Sequence, residues 1–113
     1  MTGIYIHVPF CKRKCPYCDF YSVCRPDLYE DYTQAVCRNI EAFKGRDIKC
    51  DTIYFGGGTP SVLSAEQVDR IIDTAGKCFA LCQPEITLEA NPSSVDREKM
   101  SGWRKAGVTR LSF

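Results

Sequence analysis

Two hydrophobic periods alternate along this chain, and their order limits the fold more than any other property. Residues 3–8 are a short β-branched and aromatic run and read as a strand. Residues 9–26 hold Pro9, Pro16, Pro26 and four cysteines, which marks a long loop. Over 27–44 the apolar positions Leu28, Tyr32, Val36, Ile40 and Phe43 are spaced as on one face of a helix. Asp27 with Glu30 has the form of a capping box, and Gly45 suits the helix end. Thr52-Ile53-Tyr54-Phe55 is a buried-type strand that stops at Gly56-Gly57-Gly58-Thr59-Pro60. A second helix is predicted over 64–81, with Ser64 and Gln67 as its capping box and Val68, Ile71, Ile72, Ala75 and Phe79 as its stripe. Residues 85–90 form a third strand. Residues 95–106 form a third helix with Val95, Met100, Trp103 and Ala106 inward, ending at Gly107, and 108–113 form a fourth strand.

The order βαβαβαβ predicts an α/β fold with a parallel sheet and right-handed crossovers. Ligands of such folds sit at the carboxyl ends of the strands. The cysteine-rich loop follows strand 1, the glycine loop follows strand 2, and Glu89-Ala90-Asn91-Pro92 closes strand 3. Three unusual segments therefore converge on one face. The chain stops at a strand with no helix to cover it, and a parallel sheet wants both faces covered. The 113 residues are accordingly expected to be an incomplete, truncated piece of a longer domain.

Composition narrows the function. Fifteen Lys and Arg against 14 Asp and Glu give a net charge of +1, which carries no electrostatic footprint for nucleic acid or an anionic membrane. No segment has the length of a membrane span. Met1 to Val8 lacks a basic n-region and Pro9 interrupts its apolar run, so it does not read as a signal peptide. Eight cysteines without an export signal point to metal chemistry in a reducing, cytoplasmic compartment rather than to disulfides.

Cys11-x3-Cys15-x2-Cys18 is the strongest local signal. Soft thiolates select iron–sulfur clusters or zinc. Three thiolates on a four-iron cluster leave one iron open to an outside ligand. A zinc site completed by Cys24, Asp19 or His7 is the rival reading, although zinc sites more often show paired Cys-x-x-Cys knuckles. A buried cluster of unliganded cysteines fits poorly with Lys12-Arg13-Lys14. Cys78 and Cys82 are spaced to extend the apolar stripe of the second helix. Cys24, Cys37 and Cys50 have no partner spacing. The glycine loop lacks the Gly-Lys-Ser/Thr ending of a phosphate loop, and by its glycines alone it reads equally as a tight turn.

Tyr5-Ile6-His7-Val8-Pro9-Phe10-Cys11-x3-Cys15-Pro16-Tyr17-Cys18-Asp19-Phe20, then Tyr54-Phe55-Gly56-Gly57-Gly58-Thr59-Pro60, then Glu89-Ala90-Asn91-Pro92, together resemble the radical S-adenosylmethionine superfamily. Within it the chain is similar to the oxygen-independent coproporphyrinogen III oxidase family, most of all to its haem chaperone branch. The oxidases of that family carry a further cysteine two residues after the third. Here that residue is Phe20, which argues against oxidase activity.

The resemblance implies the N-terminal part of a partial (β/α)6 TIM-type barrel, with 1–113 as an incomplete core domain. It implies a [4Fe-4S] cluster on Cys11, Cys15 and Cys18, with S-adenosyl-L-methionine chelated at the open iron. Reduction would then yield methionine and a 5′-deoxyadenosyl radical. Gly57, Gly58 and Thr59 match the segment that meets the methionine ammonium, where backbone without Cβ approaches closely. Glu89 matches the acidic residue on the ribose hydroxyls, the alternative being a surface glutamate. Tyr5 and Tyr17 match positions beside the cofactor. His7 shares a strand face with Tyr5 and reads more readily as a core histidine than as a catalytic group. The implied partners are haem or a porphyrin, haem-accepting proteins and an electron donor. No catalytic residue is assigned. Coproporphyrinogen oxidation and a non-catalytic metal module stand as the alternatives.

Overall fold

A computed structural model describes residues 2–10, 26–92 and 95–113. Four strands, β1 (Thr2–Val8), β2 (Lys49–Gly57), β3 (Ala80–Glu89) and β4 (Arg110–Ser112), lie side by side in sequence order. All three pairings are parallel. The crossovers carry α1 (Tyr29–Glu41), α2 (Ala65–Cys78) and α3 (Arg97–Ala106), and α2 packs against both of its neighbours. The βαβαβαβ order read from the sequence is the order observed.

Strand residues alternate between two environments. Ile6 pairs with Phe55, Phe55 with Leu88, and Leu88 with Leu111, one apolar row across the sheet. With Val8, Ile53 and Ile86 this face forms the core together with Val68, Ile71 and Ala75 of α2. The intervening residues are polar or amphipathic: Tyr5 pairs with Tyr54, Tyr54 with Thr87, and Thr87 with Arg110. Tyr5 is 60% exposed. Among the described residues the sheet is apolar toward the helices, and its other face carries Tyr5, Tyr54, Thr87 and Arg110. Thr52 to Phe55 follows this alternation and is not a uniformly buried strand: Ile53 and Phe55 are buried, Thr52 is exposed and Tyr54 is half-buried.

Local signals fixed some boundaries and missed others. Ser64 caps α2 with the reciprocal Gln67 box, and Gly107 ends α3 at φ +118°, both as expected. At α1 the Asp27–Glu30 box does not form. A 3₁₀ turn, Pro26–Leu28, leads into the helix, and the N-cap is Leu28, whose backbone is already helical and has no side-chain cap. Glu30 instead pairs with Arg70 of α2. The helix stops at Glu41, and Gly45 (φ +86°) serves the turn that follows.

After α2 the chain turns at once into β3, five residues before the predicted start. Cys50 pairs with Leu81 but Thr52 with Glu85, so Cys82, Gln83 and Pro84 oppose Asp51 alone. Gln83 sits at φ +44°, and Pro84 has no N–H to donate, so this bulge hid the strand's first half. Cys82 is consequently an exposed strand residue, not part of the helix stripe, whereas Cys78 is buried at the end of α2. Met100 points outward, 45% exposed. The face of α3 that packs inward carries Trp103 (1% exposed) and Gly102, which lies against Ala65.

Candidate functional site

The carboxyl ends of the strands bring the glycine loop, the end of β1 and the β3 exit together. The amide of Gly58 donates to the carbonyl of Val8 (2.9 Å) and that of Thr59 to Phe10 (2.6 Å). These bonds carry the β1–β2 ladder two steps beyond the strands and fix Phe10, whose ring is buried against Tyr29 and Tyr32. Tyr32 adds a hydroxyl bond to the carbonyl of His7, and its burial pushes the phenol's pKa up. The residue before Cys11 is thus held rigidly beside the glycine loop. Cys11, Cys15, Cys18 and Tyr17 themselves lie outside the described residues, as do Phe20 and Cys24.

Glycine is required in this loop by close approach. A Cβ on Gly58 would lie 2.4 Å from the carbonyl oxygen of Phe10, a backbone atom that cannot move aside. Gly57 sits at φ +111°, with the His7 ring 2.7 Å from where a Cβ would be. Gly56, which the sequence reading did not single out, leaves room for the Tyr5 hydroxyl and for Glu89.

The direction of the amides separates two readings of the loop. Gly57 donates to Glu89 Oε1 (3.1 Å), Gly58 to Val8 and Thr59 to Phe10. A phosphate cradle needs such N–H groups aimed at the ligand, and all three are taken by the protein. The peptides are trans, so each carbonyl points opposite to the next amide. The carbonyls of Gly57 and Gly58 therefore face away from β1, an arrangement that suits a cationic ligand.

Glu89 ends β3 half-buried, with one oxygen accepting from Gly57 N and the other from the Tyr54 hydroxyl at 2.8 Å. It is not a free surface glutamate. The hydrogen bond to this carboxylate holds the Tyr54 phenol above its ordinary pKa, aided by desolvation. Tyr5 stacks on Tyr54 with centroids 5.8 Å apart and planes at 11°. Ser61, fully buried, accepts from Asn91 N (3.1 Å), and its carbonyl accepts from Lys99 Nζ (2.8 Å). These two bonds join the segment after the glycine loop to the β3 exit and to α3. A cleft of about 370 Å³ opens between them, lined by Gly58, Thr59, Glu89, Asn91 and Ser112 among others.

Of the expected site residues, the structure brings Gly57, Gly58, Thr59 and Glu89 to one place, with Tyr5 linked to Glu89 through Tyr54. His7 is exposed on the polar face above Gly57, not in the core. Tyr54 and Ser61 were missed. Tyr54 is signalled only by register: it pairs with Thr87, which makes Glu89 its diagonal neighbour on the same face. Among the described residues no group of three or more His, Cys, Asp or Glu converges as a metal site, and no helix is long and apolar enough to cross a membrane.

Residues 5–113 match the Radical SAM superfamily. The chain is 39% identical over 118 residues to the heme chaperone HemW of Escherichia coli (strain K12), covering 98% of this chain and 31% of that protein. It is 38% identical over 120 residues to HemW of Bacillus subtilis (strain 168), covering 100% of this chain and 31% of that one. Among solved structures it resembles coproporphyrinogen III oxidase (HemN) of Escherichia coli, described as a radical SAM enzyme. There the TM-score is 0.75 at 28% identity, over 96% of this chain and 26% of that chain. The chain thus spans about a third of the length of the curated relatives it matches.

Proposed function

The chain belongs to the radical SAM superfamily and has the fold of the N-terminal part of its barrel, and from this we propose that it supplies the cluster- and S-adenosylmethionine-binding part of a HemW-like haem chaperone. In this reading Cys11, Cys15 and Cys18 ligate a [4Fe-4S] cluster. The carbonyls of the Gly57–Thr59 segment receive the methionine ammonium, Glu89 receives the ribose hydroxyls, and Tyr5 and Tyr17 flank the cofactor. When bound, the cluster and S-adenosylmethionine supply one-electron chemistry and a carbon radical. The chain's own residues bind, orient and shield. Haem or a porphyrin, haem-accepting proteins and an electron donor are the proposed partners, in a reducing cytoplasm.

The observation that carries the reading is the meeting of a glycine loop whose carbonyls turn away from β1 and a doubly anchored carboxylate beside one cleft. Acceptors for an ammonium and for two neighbouring hydroxyls stand side by side there, as an amino-acid-linked nucleoside requires. The haem part rests on the identity to HemW and on Phe20. A spectral titration of the full-length protein with haem, followed by transfer to an apo-haem protein, tests it. A saturable Soret shift and transfer are expected. No shift, with conversion of coproporphyrinogen III to protoporphyrinogen IX under anaerobic reducing conditions, would replace the chaperone reading by the oxidase.

A further inference from the structure

We propose that Tyr54 is a positioning residue that sets the carboxylate plane of Glu89 and thereby the site's preference for an intact ribose; this rests on the ribose reading of Glu89 above. A glutamate at a strand end has three side-chain torsions to fix before it can receive two neighbouring hydroxyls. Here both donors that fix it come from β2. Gly57 N holds Oε1 at 3.1 Å and the Tyr54 hydroxyl holds Oε2 at 2.8 Å. One bond would leave the group free to swivel, whereas two bonds on different oxygens define its plane. A carboxylate has about four acceptor positions, so each oxygen keeps capacity for a ligand hydroxyl.

Tyr54 is itself held. Its ring lies nearly parallel to Tyr5, and the Tyr5 hydroxyl rests over Gly56, where a Cβ would come within 2.5 Å of it. Support therefore runs from Tyr5 to Tyr54 to Glu89 across three strands. Tyr54 stands on the polar face, outside the buried apolar core. Packing alone would be served equally by phenylalanine, and the hydroxyl is what the geometry uses.

The test measures binding, not turnover. The full-length protein, reconstituted anaerobically with its cluster, is titrated calorimetrically with S-adenosyl-L-methionine and with its 2′-deoxyribose analogue. Wild type, Tyr54→Phe and Glu89→Gln are compared. Wild type is expected to prefer the ribose form by about tenfold, and Tyr54→Phe to lower that preference to about threefold, with the affinity for the deoxy analogue unchanged. If Tyr54→Phe weakens both ligands equally or neither, while Glu89→Gln removes the preference, the role of Tyr54 is overturned and that of Glu89 stands. If wild type shows no preference and Glu89→Gln changes nothing, the ribose reading falls and the proposal falls with it.

Discussion

On the side toward the helices, Ile6, Phe55 and Leu88 form a row closed to water. One residue along each strand, Tyr5, Tyr54 and Glu89 look the other way. The first row is held by burial, which is non-directional and tolerates any well-fitting apolar side chain. The second is held by directed contacts: a stacked ring pair, a phenol on a carboxylate and a backbone amide on the same carboxylate. Stability thus rests on one set of alternate residues and, in the function proposed above, ligand recognition on the other set of the same strands. Perturbations of one face should leave the other's property nearly untouched.

The largest effect is expected from the helix side. Trp103→Ala should cost about 3–5 kcal/mol in urea unfolding, with little change in ligand preference in the fraction that remains folded. Gly58→Ala strikes where the faces meet, because its new Cβ would collide with the Phe10 carbonyl. It should cost about 1–3 kcal/mol and also lower iron content after reconstitution, since the segment entering Cys11 loses its anchor. A full iron complement in that variant would show that the β1 exit is not what presents the cysteines.

Glu89→Gln should weaken S-adenosylmethionine about tenfold, roughly 1.4 kcal/mol, while unfolding free energy falls by less, about 0.5–1 kcal/mol, because the amide oxygen keeps one of the two hydrogen bonds. An unfolding loss larger than the binding loss would break the division between faces. The smallest effect concerns protons. The Tyr54 phenol is raised because its protonated form donates to Glu89. This contribution is complete below the ordinary tyrosine value of about 10 and is lost as pH rises through the higher folded value. An ultraviolet phenol titration should show one tyrosine moving down toward that ordinary value in Glu89→Gln.

The helix-facing half of the molecule was legible because burial writes a period into the sequence. Val68, Ile71, Ile72 and Ala75 recur at helical spacing, and all are buried. Ser64 with Gln67 and the glycine at 107 work within a few residues of where they stand. What failed depended on partners distant in sequence. Asp27 and Glu30 have capping spacing, but the 3₁₀ turn before α1 and the reach of Glu30 to Arg70 decide the outcome. The bulge at Gln83 and Pro84 exists only relative to β2. In the site, Gly57, Gly58, Thr59 and Glu89 were named through resemblance. Tyr54 was hidden in a four-residue run too short to show its alternation, and its bond to Glu89 spans 35 positions.

The central claim is that the carboxyl ends of these strands hold S-adenosylmethionine beside a cluster with an open iron. Its most direct test is the paramagnetic resonance spectrum of the full-length protein, reconstituted anaerobically with iron and sulfide and reduced, with and without S-adenosylmethionine. A cluster signal is expected that shifts when S-adenosylmethionine is added and shifts less in Glu89→Gln. A cluster signal indifferent to S-adenosylmethionine, or zinc bound in place of iron, would contradict it.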